Sequence, residues 1–239
     1  RFGFTRHEAE ALTTALLAMG RTPVPVPYQV PDREAAYTPP GHFGELVRRY
    51  RCMSCHQIGG AGGDISTAPL TAEGSKVRES WLADYLKLPT TVRPILEERM
   101  IQLQMPDEQR TFIADFAENV LRDDRIPDEI FASPPPSEEV ERGRKLFRER
   151  YGCQACHMIG GKGGFYGPLL DEAGRRLKTG WVYTWLKGPQ SWRADVREPD
   201  YGLADADARD LTAFVVSISA PTATPARSGP GSPGAGKES

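Results

Sequence analysis

The sequence predicts an all-α protein of two similar halves, preceded by a helix and followed by a disordered tail. Apolar residues recur at helical spacing in several segments while strand signals are nearly absent. A stretch around Cys52 also reappears, about a hundred residues later, around Cys153. A chain of 239 residues has room for one to two domains, and the repeat decides for two.

Residues 1–41 hold an N-terminal helix and a proline-rich extended linker from about 22 onward. The run 2–13 matches 201–212 in frame. One reading makes it the last helix of a preceding domain of the same kind, whole or degenerate, with a further motif upstream of Arg1. The other is a capped amphipathic helix with Thr5 as N-cap and Glu8 as its box partner. Both stay open. The chain begins without methionine and without a visible signal peptide, so we expect it to be processed or cut from something larger.

The first domain is expected over 42–125 and the second over 140–219. Each begins with a short helical pattern, 43–51 and 144–152, in which Phe147 answers Leu46 and Tyr151 answers Tyr50. A pentapeptide motif follows, then glycine-rich loops at 59–63 and 160–164, whose missing side chains would let the backbone lie close to a cofactor edge. Pro69-Leu70 answers Pro168-Leu169, a tryptophan helix at 81–88 answers 181–188, and amphipathic helices at 107–121 and 205–218 close the halves. Residues 126–139, with three consecutive prolines and acidic neighbours, read as a linker. From 220 to 239 Pro, Ser, Gly, Thr and Ala dominate, which predicts a disordered tail.

The motifs are Cys52-Met53-Ser54-Cys55-His56 and Cys153-Gln154-Ala155-Cys156-His157. They use every cysteine and half of the four histidines. C-x-x-C-H is the attachment signature of c-type haem: two thiols add to the porphyrin vinyl groups and the adjacent imidazole becomes the proximal ligand. Two copies therefore predict two covalent haem c groups, held by Cys52 and Cys55 and by Cys153 and Cys156, with His56 and His157 under the irons. A shared zinc site is disfavoured because each motif sits in its own similar surroundings, far from the other in sequence. A redox dithiol is disfavoured because neither motif has a βαβ pattern around it.

A formal charge of −2 and 39% hydrophobic residues give no reason to expect nucleic acid as a partner. No run approaches the length of a membrane span. Haem attachment to C-x-x-C-H takes place outside the cytoplasm, so a periplasmic or other extracytoplasmic location follows from the motif.

Each half resembles a class I cytochrome c, over about 42–122 and 140–219. The resemblance implies that Pro69 and Pro168 present a carbonyl to the proximal imidazole. It also implies a distal methionine from the loop before the last helix. Met53 lies inside an attachment motif and Met158 follows His157, so both are tied to the wrong side of their own haem, which leaves Met19, Met100 and Met105. Arg99-Met100 ahead of Pro106-Asp107-Glu108 fits the family pattern, so Met100 is the expected ligand of the first haem and Met105 the runner-up. Met105 answers Leu203, a core position. In the second half Glu198 stands where the methionine belongs. That leaves a carboxylate, a histidine from elsewhere such as His42 or His7, or no strong ligand, with Glu198 then merely solvated.

The function this implies is a single-electron relay between redox proteins or subunits of a respiratory or photosynthetic complex, with no enzymatic activity of its own. The rival is a di-haem enzyme or small-ligand sensor working at an open iron in the second half.

Overall fold

The computed structural model describes residues 4–20, 38–63, 68–95, 100–131, 134–194 and 196–219, without the side chains of 17–20. The segments 21–37 and 220–239, read as linker and disordered tail, lie outside the described residues.

Helix α1 (Arg6–Gly20) opens with a reciprocal capping box. The Thr5 amide donates to Glu8 Oε2 at 2.8 Å, and the Glu8 amide donates to Thr5 Oγ1 at 3.3 Å. Its described side chains are exposed, among them Phe4, Leu12 and Leu16.

The two halves repeat one order of elements. The first runs α2 (Gly41–Arg49), a 3₁₀ turn at Cys52–Ser54, a hairpin of β1 (Gln57–Ile58) and β2 (Ala61–Gly62), α3 (Glu73–Lys76), α4 (Glu79–Lys87) and α5 (Asp107–Val120). The second runs α6 (Ser137–Lys145), prolonged by a π turn at Leu146–Arg150, then a 3₁₀ turn at Cys153–Ala155. The hairpin of β3 (Met158–Ile159) and β4 (Lys162–Gly163) comes next, followed by α7 (Ala173–Arg176), α8 (Thr179–Lys187), α9 (Pro189–Trp192) and α10 (Asp205–Ser217).

Within each half the first helix crosses the last. Phe43 stacks on Phe116 at 4.0 Å, and Phe147 meets Phe214 at 5.2 Å. A tyrosine ends the first helical stretch in both cases and ties it to the last helix: Tyr50 Oη donates to Gln109 at 2.6 Å and Tyr151 Oη to Asp207 at 2.7 Å. Gly74 and Gly174 lie so close to the last helix that a Cβ would overlap the carbonyls of Ala117 and Val216. Their amides bond the chain just past that helix, Gly74 to Leu121 O at 2.9 Å and Gly174 to Ile218 O at 3.1 Å.

Three sequence expectations change. The glycine-rich runs are not plain loops; they form two-residue hairpins whose tips, Gly59-Gly60 and Gly160-Gly161, all have φ between 58° and 79°. Two consecutive residues at positive φ make the type I′ turn that matches strand twist. The next glycines press on the motifs themselves: a Cβ at Gly62 or Gly163 would overlap the carbonyl of His56 or His157. Helix α6 starts at Ser137, inside the expected linker, because Pro136 ends the proline run at its N-cap. The rest of that segment is packed rather than free, with Ile126 2% and Phe131 9% exposed, and the Ile130 amide donates to Thr179 Oγ1 at 2.8 Å.

The halves meet across a local two-fold. Val77 pairs antiparallel with Leu177, its own counterpart in the repeat. The flanking bonds are reciprocal: Arg78 N to Arg176 O at 2.9 Å and Lys178 N to Lys76 O at 3.0 Å. Lys178, 7% exposed along its side chain, also reaches Glu118 at 2.6 Å and Asp128 at 3.3 Å. Arg175 pairs with Asp84 at 2.9 Å, and the Leu169 amide donates to Val92 O at 2.8 Å. Among the described residues no helix is long and apolar enough to cross a membrane.

Candidate functional site

The residue before each motif is left-handed, Arg51 at φ 53° and Gly152 at φ 63°. This turns the chain out of the helix and into the 3₁₀ turn. The His56 amide then closes on Cys52 O at 2.9 Å and the His157 amide on Cys153 O at 3.0 Å. One turn thus presents two thiols and an imidazole together. Cys55 and Cys156 are exposed, while Cys52 and Cys153 are half-buried against the core.

Each imidazole is oriented by a backbone carbonyl. His56 Nδ1 lies 2.8 Å from Ala68 O, and His157 Nδ1 lies 2.9 Å from Pro168 O. A carbonyl only accepts, so Nδ1 carries a proton, and on a neutral ring Nε2 keeps the lone pair that a metal would take. The carbonyl in the first half is therefore Ala68's, not Pro69's. The loop there is one residue longer: Leu70 N bonds Gln57 O at 2.8 Å where Leu170 N bonds Met158 O at 3.1 Å. That pairs Leu70 with Leu170 and Ala68 with Pro168, and the shared Pro-Leu dipeptide is out of register. Gly167 completes the support of His157, since a Cβ there would stand 2.6 Å from the imidazole Cε1.

His157 Nε2 faces the Glu198 carboxylate, Oε2 at 3.3 Å, with the two side chains 12% and 20% exposed. Burial lowers the histidine pKa, but the hydrogen bond and charge of Glu198 outweigh it and the net shift is upward. Glu198 is further fixed through its backbone carbonyl, which accepts from Gln190 Nε2 at 2.6 Å. Of the alternatives, His42 sits in the first half against Glu45 at 3.2 Å and edge-on to Phe112, and His7 is exposed on α1. Met100 is half-buried ahead of α5, next to a segment outside the described residues. Met105 is 5% exposed and its counterpart Leu203 3%, so both occupy the core.

The thiols are poorly suited to other chemistry. Burial, then the Glu198 charge, pushes the Cys153 thiol up to about 11, and burial raises Cys52. A redox dithiol needs the opposite shift. Among the described residues no three of His, Cys, Asp and Glu form a group that could hold a metal ion.

Sequence reasoning passed over Ala68, Gly167 and Arg176. The last is 8% exposed; burial lowers its pKa to about 10, against the opposing pull of Glu73. Its only advance signal is a cation, Lys76, at the same place in the other half.

Residues 140–219 match the family model for cytochrome c. A search of curated proteins returns no match. A cytochrome c domain implies covalently bound haem c, and the second half has donors for it: paired thiols on one turn and a histidine held at Nδ1 by the Pro168 carbonyl, with Nε2 facing Glu198.

Proposed function

We propose that the chain is an electron-transfer protein with two covalent haem c groups, one in each of two tandem class I cytochrome c domains over 42–125 and 140–219. Cys52 and Cys55, and Cys153 and Cys156, form the thioether links, and His56 and His157 are the proximal ligands. Haem iron supplies a one-electron couple; everything else here is the work of the chain. Ala68 and Pro168 hold the imidazole tautomer and its plane. The hairpin glycines and Gly167 keep the motif turn and His157 tightly packed. Met100 in the first half and Glu198 in the second approach from the distal side.

The observation that carries this reading is the recurrence, in both halves, of the same motif turn with the same Nδ1-to-carbonyl hydrogen bond, 2.8 and 2.9 Å. The packed joint supports a relay, because paired backbone at Val77 and Leu177 fixes the spacing of the two sites. Attachment chemistry puts the protein in the periplasm or another extracytoplasmic compartment. Its partners are redox proteins or other subunits of a respiratory or photosynthetic complex. Acid–acetone extraction should leave all colour with the polypeptide, and a pyridine haemochrome assay should return two haems per chain. A chain without covalent haem overturns the reading.

The second reading, an enzyme or sensor of small ligands, draws on Glu198. A carboxylate is a weak distal ligand for ferrous iron, so the second site is the one that could open. Carbon monoxide added to dithionite-reduced protein decides: an unchanged Soret band favours the relay, and a shifted one the rival.

A further inference from the structure

Helix α1 has the residues of a closing helix but none of its cover. The run 2–13 matches 201–212 in frame, and the two helices begin at matched positions, α1 at Arg6 and α10 at Asp205. The likeness extends to a side-chain bond. Thr13 Oγ1 donates to Ala9 O at 2.7 Å, and Thr212 Oγ1 donates to Ala208 O at 2.7 Å. A shared capping box does not explain it, because α10 starts after Ala204 with no side-chain cap, whereas α1 starts on the Thr5–Glu8 pair.

Burial is where the two helices part. Ala208, Leu211 and Val215 are at most 8% exposed and lie in one core with Phe147 and with Ala173 of α7. Their counterparts Ala9, Leu12 and Leu16 are all exposed, the two leucines 43% and 59%. These three share one face of the helix by their spacing. A helix of 15 residues is marginal in water by itself, and packing of its apolar face is what ordinarily holds such a helix.

The repeat indicates what packs there. In each described half the closing helix is covered by elements that precede it in the chain: Phe43 of α2 and Gly74 of α3 lie on α5, and Phe147 and Gly174 of α7 lie on α10. The order around α1 is the same. Helix α5 is followed by the proline-bearing stretch 121–136 and then α6, and α1 by the proline-bearing stretch 21–40 and then α2. We propose that α1 closes a third haem-binding half, whose first helix and C-x-x-C-H turn precede it in the same polypeptide and cover Ala9, Leu12 and Leu16. The relay then has one more site, ahead of the first half. This rests on the haem reading above.

The test uses the full product of the gene, purified with its haem, in a pyridine haemochrome assay with mass spectrometry of the haem-bearing peptides. Three haems per chain are expected, two at the motifs described and one on a peptide preceding Arg1. Leu12→Asp combined with Leu16→Asp should remove that third haem alone, and Glu10→Gln, off the apolar face, should keep all three. Hydrogen exchange carries the test if the double variant does not accumulate: the α1 amides should exchange as slowly as those of α10 in the full product, and faster in the 239-residue chain. Two haems per chain, or α1 amides that exchange freely in the full product, would overturn the proposal. Protection of α1 that appears only in a dimer would also overturn it, and would make a second copy the occupant. Absence of haem from the peptides containing Cys52 and Cys153 would instead overturn the functional reading beneath it.

Discussion

In the second half the proximal imidazole looks across 3.3 Å at a carboxylate, Glu198, whereas the first half offers thioethers, Met100 half-buried in the corresponding loop and Met105 in the core. Behind the imidazoles the halves agree closely: the same 3₁₀ turn, the same hairpin and a carbonyl at the same distance on Nδ1. On the reading proposed above, the repeat keeps what attachment and proximal orientation would require and varies what would face an iron from the other side. Axial ligand identity is the main lever a protein has on haem potential, so the divergence falls where it changes redox poise most and fold least.

Five experiments break or sharpen that comparison. The largest effect should come from replacing either cysteine pair by serine: each double variant should drop from two haems per chain to one in the haemochrome assay. Loss of both from one pair, or of neither, would show that the halves do not load independently.

Next is the distal contrast. Met100→Ala should abolish the near-infrared Fe(III)–thioether charge-transfer band, which Met105→Leu should leave intact. The reverse pattern would make Met105 the ligand and remove it from the packing role its burial suggests.

Smaller effects bear on the joint. Lys178→Met removes charge-assisted bonds to Glu118 and Asp128 at 2.6 and 3.3 Å, and should cost about 2 kcal/mol in denaturant melts. The same cluster sets an acid limit. The hydrogen bond from Arg122, then the nearby Lys178 charge, hold the Asp128 carboxyl below its ordinary value despite some burial. A depressed carboxylate stabilises the fold fully above its unfolded pKa, and that stability is lost as pH falls through the lower folded value. Wild type should therefore lose stability below about pH 4, and Asp128→Asn should lose less over that interval.

The smallest effect separates Arg51 from Gly152. Both are left-handed, but only arginine has a Cβ to strain there. Arg51→Gly should stabilise the chain by about 1 kcal/mol, read as a higher melting temperature. Gly152→Arg should do the opposite.

Much of this organisation is legible in the sequence. The two motifs, the tryptophan helices and the closing helices announce themselves by spacing and period, and the structure has them within a residue or two of the expected bounds. In the first half the shared Pro-Leu dipeptide points to Pro69 while the longer loop puts the Ala68 carbonyl on the imidazole, a shift that the bonds of Leu70 and Leu170 reveal. Two-residue strands are too short to produce alternation, so the hairpins read as loops. Residues 126–131 look like a tether because Pro127, Asp128 and Glu129 are solvent-tolerant types, yet Ile126 and Phe131 are buried. The burial of Arg176 is a property of how the halves meet, which no local pattern encodes.

The proposed function implies two haems of unequal potential, set by unequal distal groups. A spectroelectrochemical titration of the holoprotein beside Glu198→Met tests it most directly. Wild type should show two one-electron steps, the lower belonging to the second half, and the variant should raise that lower step toward the other while leaving the first unmoved. A single step in wild type, or a lower step that Glu198→Met does not move, would contradict it.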